Sequence, residues 1–340
     1  MSAPVTQRAF EFLPLGAIIQ RFTVGGHNIV LNFNTQDAYD QHNTSHFGAT
    51  IGRVANRVKG ATIDRLNGKS YQLAANNGPN SLHGGVKGWG KQLWAGPTKE
   101  IKDGNEAFRF TYRSSNGDQG FPGAVDVSVV YVETREPVSD GGEKTVLTFD
   151  YEAKLADDQE DDVQETAVNM TNHSYFNLSD QPSIEGTEAT LSTNQYLPLD
   201  DGGIPTAGPT THASIPDNKP FTLGPKDPDL DDCFITNSNP SSVPLDTRTS
   251  PLTLAASFYH PKTRLNLEVL STEPAFQFYT GKYIDVPAVG GAPQRVPRSG
   301  FCVEPSRYVN AINVDEWRSQ VLLKKGQVYG SRIVYKAWKS

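Results

Sequence analysis

Apolar and polar positions alternate along most of the chain. Side chains that change face at every residue mark half-buried strands. Such runs recur weakly from Gln20 to Phe33 around Gly25-Gly26, then at 61–66, 69–73, 107–113, 125–132, 144–155, 166–178, 187–197, 264–270, 275–280, 300–304 and 331–338. Asn67-Gly68, between two of these runs, tolerates positive φ at both positions and so predicts a tight hairpin. No segment carries the long apolar stripe of an amphipathic helix. Short strands separated by turn residues predict an all-β protein, a large antiparallel β-sandwich with few short helices. No repeat or linker divides the chain, so a single domain over residues 1–340 is expected. Segments 136–143 and 156–165 read as solvated loops. Segment 197–232 is long and rich in Pro, Gly and Asp, and a connection of that length is expected to cross or border a binding site.

Within this pattern the run 166–178 is the most informative. Val168, Met170 and Phe176 fall on one face, and Asn169, Thr171, His173, Tyr175 and Asn177 on the other. A histidine among four hydrogen-bonding side chains suits a pocket wall, although the alternation by itself favours a histidine on a solvated sheet face.

Composition then narrows the partners. A formal charge of −7 argues against nucleic acid, which needs a net basic face. Two cysteines, Cys233 and Cys302, make neither a disulfide framework nor a Cys-x-x-Cys metal motif. No stretch approaches the ~18 apolar residues of a membrane span, and no secretory leader is visible, so a soluble cytoplasmic protein with no membrane partner is expected. A removed leader would leave the same sequence.

Several further blocks could carry chemistry. Gly52 to Val58 contains Arg53, Asn56 and Arg57; as isolated residues the two arginines read as surface charges, and in a regular strand Asn56 and Arg57 would face opposite ways. His83 precedes Gly84-Gly85, which permits a sharp turn or a close backbone approach. Asp231-Asp232 opens an apolar run and is compatible with a strand start, a metal pair or a hydrogen-bonding carboxylate, though no helical calcium loop follows. Gln277 and Tyr279 share one face of a strand. So do Cys302 and Glu304, and the proline after Glu304 would leave its carboxylate at a rim, where a solubilising edge charge is the simpler reading. His42 and His46 have the i,i+4 spacing of helical metal ligands, but Asn43-Thr44-Ser45 makes a poor helix, and no metal site is expected. Phosphate-cradling and dinucleotide-binding glycine motifs are missing, as is a nucleophile elbow.

Taken together the blocks resemble the aldose 1-epimerase (galactose mutarotase) family. The resemblance rests on Gly-Arg-Val-Ala-Asn-Arg (52–57), Asn-Ser-Leu-His-Gly-Gly (80–85), Thr-Asn-His-Ser-Tyr-Phe-Asn-Leu (171–178), Gln-Phe-Tyr-Thr-Gly (277–281) and Glu-Pro (304–305), in the family's order and across nearly the whole chain. It implies a β-sandwich with a sugar pocket on a concave sheet face, a free monosaccharide as substrate and no cofactor. It also implies interconversion of α and β anomers by ring opening and reclosure, with Glu304 as base and His173 as acid. Asn56, Arg57, His83, Tyr175, Asp231 and Gln277 would bind the sugar by the same similarity, and Trp89 or Phe278 could stack on it. A carboxylate beside His173 is expected to raise the histidine's pKa. Asp231-Asp232 departs from the Asp-His of many relatives, and Gly90 stands where relatives tend to have Asp, which would alter sugar preference. A glycoside hydrolase using Asp231 and Glu304, or a sugar-binding module without turnover, are the competing readings. Oligomeric state is not legible.

Overall fold

Alternation becomes antiparallel sheets, two of them large, in the structure, a computed structural model that describes residues 8–138, 141–158 and 163–340. The larger sheet has nine strands in the spatial order Phe221–Thr222, Glu188–Leu191, Thr253–His260, Leu265–Ser271, Tyr329–Lys339, Glu143–Leu155, Val125–Pro137, Asn105–Ser114 and Ala95–Lys102. The smaller has six, in the order Tyr175–Phe176, Phe301–Ser306, Ala275–Tyr279, Asp231–Ile235, Gln195–Tyr196 and Thr210–Thr211. The expected hairpin forms, with Asn67 at φ 49° and Gly68 at φ 74° between Thr62–Leu66 and Lys69–Gln72. The one α-helix among the described residues is Gln36–His42, capped by the Thr35 hydroxyl. His42 closes that helix and His46 lies beyond it at φ 62°, so the pair never shares a helical face. Parts of the predicted loops 136–143 and 156–165 lie outside the described residues.

Aromatic side chains join the sheets. Phe176 of the small sheet meets Tyr335 of the large one at a ring separation of 5.1 Å, and Phe301 meets Phe258 at 4.3 Å. Burying such rings fully contributes about 1.5–3 kcal/mol each relative to exposure. Phe278 belongs to this interior, 0% exposed, and Trp89 is packed elsewhere in the core at 1%, so neither is placed to stack on a sugar. Arg307 and Glu273 form a wholly buried ion pair at 2.9 Å, and the Arg307 guanidinium also donates to the carbonyls of Pro244, Leu245 and Gly330. Those bonds tie the end of strand Phe301–Ser306 to the start of strand Tyr329–Lys339.

Two sequence expectations change here. The run 166–178 is not one half-solvated strand but three short pieces, Glu165–Ala167, Thr171–Asn172 and Tyr175–Phe176, each paired with a different partner strand. Strand Phe301–Ser306 continues through Pro305, and Glu304, opposite Gln277 in the next strand, is only 4% exposed, so its carboxylate is buried rather than left at a solvated rim. The face of the small sheet turned away from the large one is covered by segments around Leu31, Phe47 and Ala49. That covering layer is why polar residues on this face are buried. Arg53 is likewise internal at 1% exposed, donating to the carbonyls of Pro122 and Gly123 at 2.9 and 2.7 Å, and burial lowers its pKa to about 10. A chain of carbonyl acceptors replaces water around this guanidinium, which removes the need for a surface position.

Candidate active site

Sheet register assembles the cavity floor. Tyr175 lies opposite Cys302, Cys302 opposite Tyr279, and Tyr279 opposite Asp231. One step of two residues along, Glu304 lies opposite Gln277. Directly opposed residues share a face with Cβ atoms ~5 Å apart, so these two rows converge on one patch. Tyr175, Tyr279, Asp231, Gln277 and Glu304 all line a cavity of about 700 Å³. Asp232, one residue on, turns to the other face and lies 3.9 Å from His212. Asp231 is thus the carboxyl offered to the cavity, and Asp232 is held behind the sheet.

The opposite wall comes from loops. Asn56 takes the left-handed conformation at φ 57°, and His83 does the same at φ 51°. This kink carries Asn56 and Arg57 to the same cavity, removing the conflict that a regular strand would impose. The two residues lock together: the His83 N–H donates to the Asn56 carbonyl at 3.0 Å, and the Asn56 N–H donates to His83 Nδ1 at 3.2 Å. Gly84 permits the approach, since a Cβ there would stand 2.0 Å from the Gly52 oxygen. Arg57 is oriented by Nε donating to Asn77 Oδ1 at 3.0 Å and by Asp231, 4.0 Å from Nη2. Gln277 Nε2 donates to Asp231 Oδ1 at 2.8 Å, while Gln277 Oε1 is buried with no partner. A buried acceptor left open in a cavity wall is a place for a ligand hydroxyl.

His173 stands over the floor. Its Nε2 is 3.5 Å from Glu304 Oε1 and its Nδ1 is 3.4 Å from Cys302 Sγ. Burial, followed by the neighbouring His46, lowers the His173 pKa to about 3. Burial, followed by Asp231, pushes Glu304 well above the usual carboxylate range, with Arg57 partly offsetting. The expectation that a carboxylate would raise the His173 pKa is therefore reversed. Desolvation acts on both partners and outweighs their attraction, so the buried pair holds one proton between them rather than a stable ion pair.

Every site residue expected from the sequence, namely Asn56, Arg57, His83, His173, Tyr175, Asp231, Gln277 and Glu304, lines this cavity. Gly90 does not; it is buried against Ala49 and Thr50. His46, Asn77, Tyr279 and Tyr283 line the cavity without having been expected, and residues 199–203, within the long connection expected to border a site, line it as well. Tyr279 was legible from its period with Gln277. His46 carries no such signal because a left-handed turn, not a strand, aims it. Ligand atoms of His83, His173 and Glu304 lie within 4.8 Å of one another. The donor set is nevertheless unsuited to a metal: with Nδ1 accepting from Asn56, neutral His83 carries its proton on Nε2 and presents a donor where a cation requires a lone pair.

The family profile for aldose 1-epimerase matches residues 5–336. The chain belongs to the aldose 1-epimerase family. The bifunctional protein GAL10 of Pachysolen tannophilus is 40% identical over 328 residues, covering 94% of this chain but 44% of that protein. The chain thus spans less than half the length of such bifunctional relatives. The galactose mutarotase of Sus scrofa is 38% identical over 307 residues, covering 89% of this chain and 81% of the pig protein. The crystal structure of a GalM/aldose epimerase homologue from C. elegans shares the fold with TM-score 0.78 at 23% identity, covering 97% of this chain and 95% of the other. For an aldose epimerase fold, the cavity lies on the face of the small sheet turned away from the large one.

Proposed function

We propose that this protein is an aldose 1-epimerase that interconverts the α and β anomers of a free aldose, with Glu304 and His173 as its proton-transfer pair. The observation that carries the reading is the 3.5 Å approach of His173 Nε2 to Glu304 Oε1 within a polar cavity. In the hemiacetal, O1 and the ring oxygen O5 are attached to one carbon, so two groups this close can address both atoms at once. Glu304 removes the proton from the anomeric hydroxyl as His173 delivers one to O5. The C1–O5 bond breaks, its electron pair stays on O5, and C1 becomes an aldehyde. Rotation about C1–C2 presents the other carbonyl face. O5 then attacks C1, returns its proton to His173, and O1 recovers the proton from Glu304. No net charge, redox equivalent or water is consumed, and each transfer supplies about 10²- to 10⁴-fold in rate.

Substrate binding favours the charge-separated form of the pair. O1–H donates to Glu304 and O5 accepts from His173, which restores polar partners that burial removed. Arg57, His83 Nε2–H and Asn56 supply donors; Asp231 and the open Gln277 Oε1 supply acceptors for the remaining hydroxyls. A monosaccharide substrate in a polar cavity without a required metal accounts for this donor set. Polarimetry on freshly dissolved α-D-glucose and α-D-galactose tests the reading. Equilibration faster than the blank is expected with the protein present; a rate equal to the blank for these and other aldoses would overturn it.

A further inference from the structure

A third imidazole lines the cavity and has no part in the reaction as written above. His46 is held in the left-handed region at φ 62°, which a side chain keeps only where its surroundings fix it. The turn that fixes it is closed by Asn43, whose Oδ1 accepts from the Phe47 N–H at 2.6 Å and whose Nδ2 donates to the Phe47 carbonyl at 3.2 Å. Aimed by this turn, the His46 ring stands 5.2 Å from that of His83 and 5.7 Å from that of His173. Among the described residues neither of its nitrogens has a hydrogen-bond partner. Burial, with Lys91 adding to it, lowers the His46 pKa to about 4, so the ring is neutral near pH 7. It therefore offers the cavity one N–H and one lone pair, both unspent.

The order of elements across the small sheet decides which part of a sugar this ring would meet. Strand Phe301–Ser306 carries Glu304. On one side of it Gln277 lies opposite Glu304, and Asp231 is one strand further. On the other side lies strand Tyr175–Phe176, with His173 just before it. The His173 backbone is paired in turn with the segment that follows His46: the Gly48 N–H donates to the His173 carbonyl at 3.1 Å, and the His173 N–H donates to the Ala49 carbonyl at 2.9 Å. The row across the cavity thus runs Asp231, Gln277, Glu304, His173, His46. With O1 at Glu304 and O5 at His173, the ring atom beyond O5 is C5, while C2 and C3 turn toward Gln277 and Asp231. We propose that His46 is a specificity-determining residue that hydrogen-bonds the hydroxyl of the exocyclic carbon on C5, so that the site prefers aldohexoses to sugars lacking that hydroxyl. This rests on the assignment of Glu304 to O1 and His173 to O5. A hydroxyl both donates and accepts, as does a neutral imidazole, so either tautomer of His46 can make the bond.

D-galactose and 6-deoxy-D-galactose differ only in this hydroxyl, and the ratio of their kcat/KM values by polarimetry reads its contribution. The wild type is expected to favour D-galactose about tenfold, and His46→Phe, which keeps a planar ring but no polar atom, is expected to abolish the preference. His46→Gln, which retains a donor and an acceptor, is expected to recover part of it. Thermal midpoints establish that each variant is folded. A role confined to packing against His83 and His173 would lower both sugars alike and leave the ratio unchanged in His46→Phe; that result, or a wild type that does not discriminate, would overturn the proposal. Titration calorimetry gives the corresponding ratio of Kd values without turnover. Discrimination in binding that His46→Phe abolishes, in a protein that does not speed mutarotation, would count against the enzymatic reading and uphold the contact. Turnover without discrimination would do the reverse, and failure to bind either sugar would overturn both.

Discussion

At the scale of single residues, the cavity withholds water from an imidazole and a carboxylate whose ordinary pKa values are 6.5 and 4.5. His173 is lowered to about 3 and Glu304 is raised well above 4.5, in both cases chiefly by burial. The two titrate as a unit, and the form able to move protons in both directions holds one proton between them. Protonating that form further requires charging His173, which happens near pH 3. Deprotonating it requires ionising Glu304 beside Asp231, which happens well above the usual carboxylate range. The profile of kcat/KM against pH, which reports the free enzyme, is therefore expected to stay level through pH 6.5 into mildly acidic conditions and to decline on the alkaline side. An acid limb centred near 6.5, as for a solvated histidine, would contradict this electrostatic account. At this scale the sequence was most informative about identity and least about environment. Alternation placed His173 with polar neighbours, but it could not show that segments near Phe47 and Ala49 cover them.

Among elements, strand register and backbone kinks share the work. Register aligns Tyr175, Cys302, Tyr279 and Asp231 across four strands, and period two already put Gln277 with Tyr279 and Cys302 with Glu304. What period two could not reveal was the left-handed turn at Asn56, which breaks the alternation and sends both Asn56 and Arg57 inward. Nor could it reveal how the connection after Leu197 is draped. Asn80 Nδ2 donates to the Gly202 carbonyl at 3.2 Å, bringing residues 199–203 over the Arg57 guanidinium. Gly203 sits at φ 73°, and a Cβ there would lie 2.8 Å from Arg57 Cζ. Gly203→Ala is expected to displace Arg57 or the loop, raising KM about tenfold while lowering kcat less, because the proposed binding contact is disturbed rather than the proposed proton-transfer pair. Steady-state kinetics separates these effects; a loss confined to kcat would show that Arg57 acts on the reacting atoms instead.

The whole molecule positions the site by clamping the small sheet to the large one. Phe176 against Tyr335 and Phe301 against Phe258 supply apolar area, and the Glu273–Arg307 pair supplies the polar tie just beyond Glu304. A buried ion pair contributes little relative to an apolar replacement, yet removing one partner strands the other. Arg307→Met is expected to lower unfolding stability by about 3–5 kcal/mol, measured as a shift in the denaturant midpoint at constant m. A change below about 1 kcal/mol would show that water replaces the lost partner. Burial of the pair was invisible in the sequence, where Glu273 precedes a proline in what reads as a turn. The all-β architecture was legible because alternation and turn residues act locally. The assignment of strands to sheets was not, because it depends on contacts between distant segments.

At every scale the protein is arranged around the proposed transfer of the two protons of anomer exchange by Glu304 and His173. Polarimetric turnover of α-D-galactose by Glu304→Gln, beside the wild type at equal concentration of folded protein, tests it most directly. Glutamine preserves the shape and a hydrogen-bonding oxygen but cannot take the O1 proton. A loss of about 10²- to 10⁴-fold is expected, with the thermal midpoint maintained. A folded Glu304→Gln that equilibrates the anomers at the wild-type rate would contradict it.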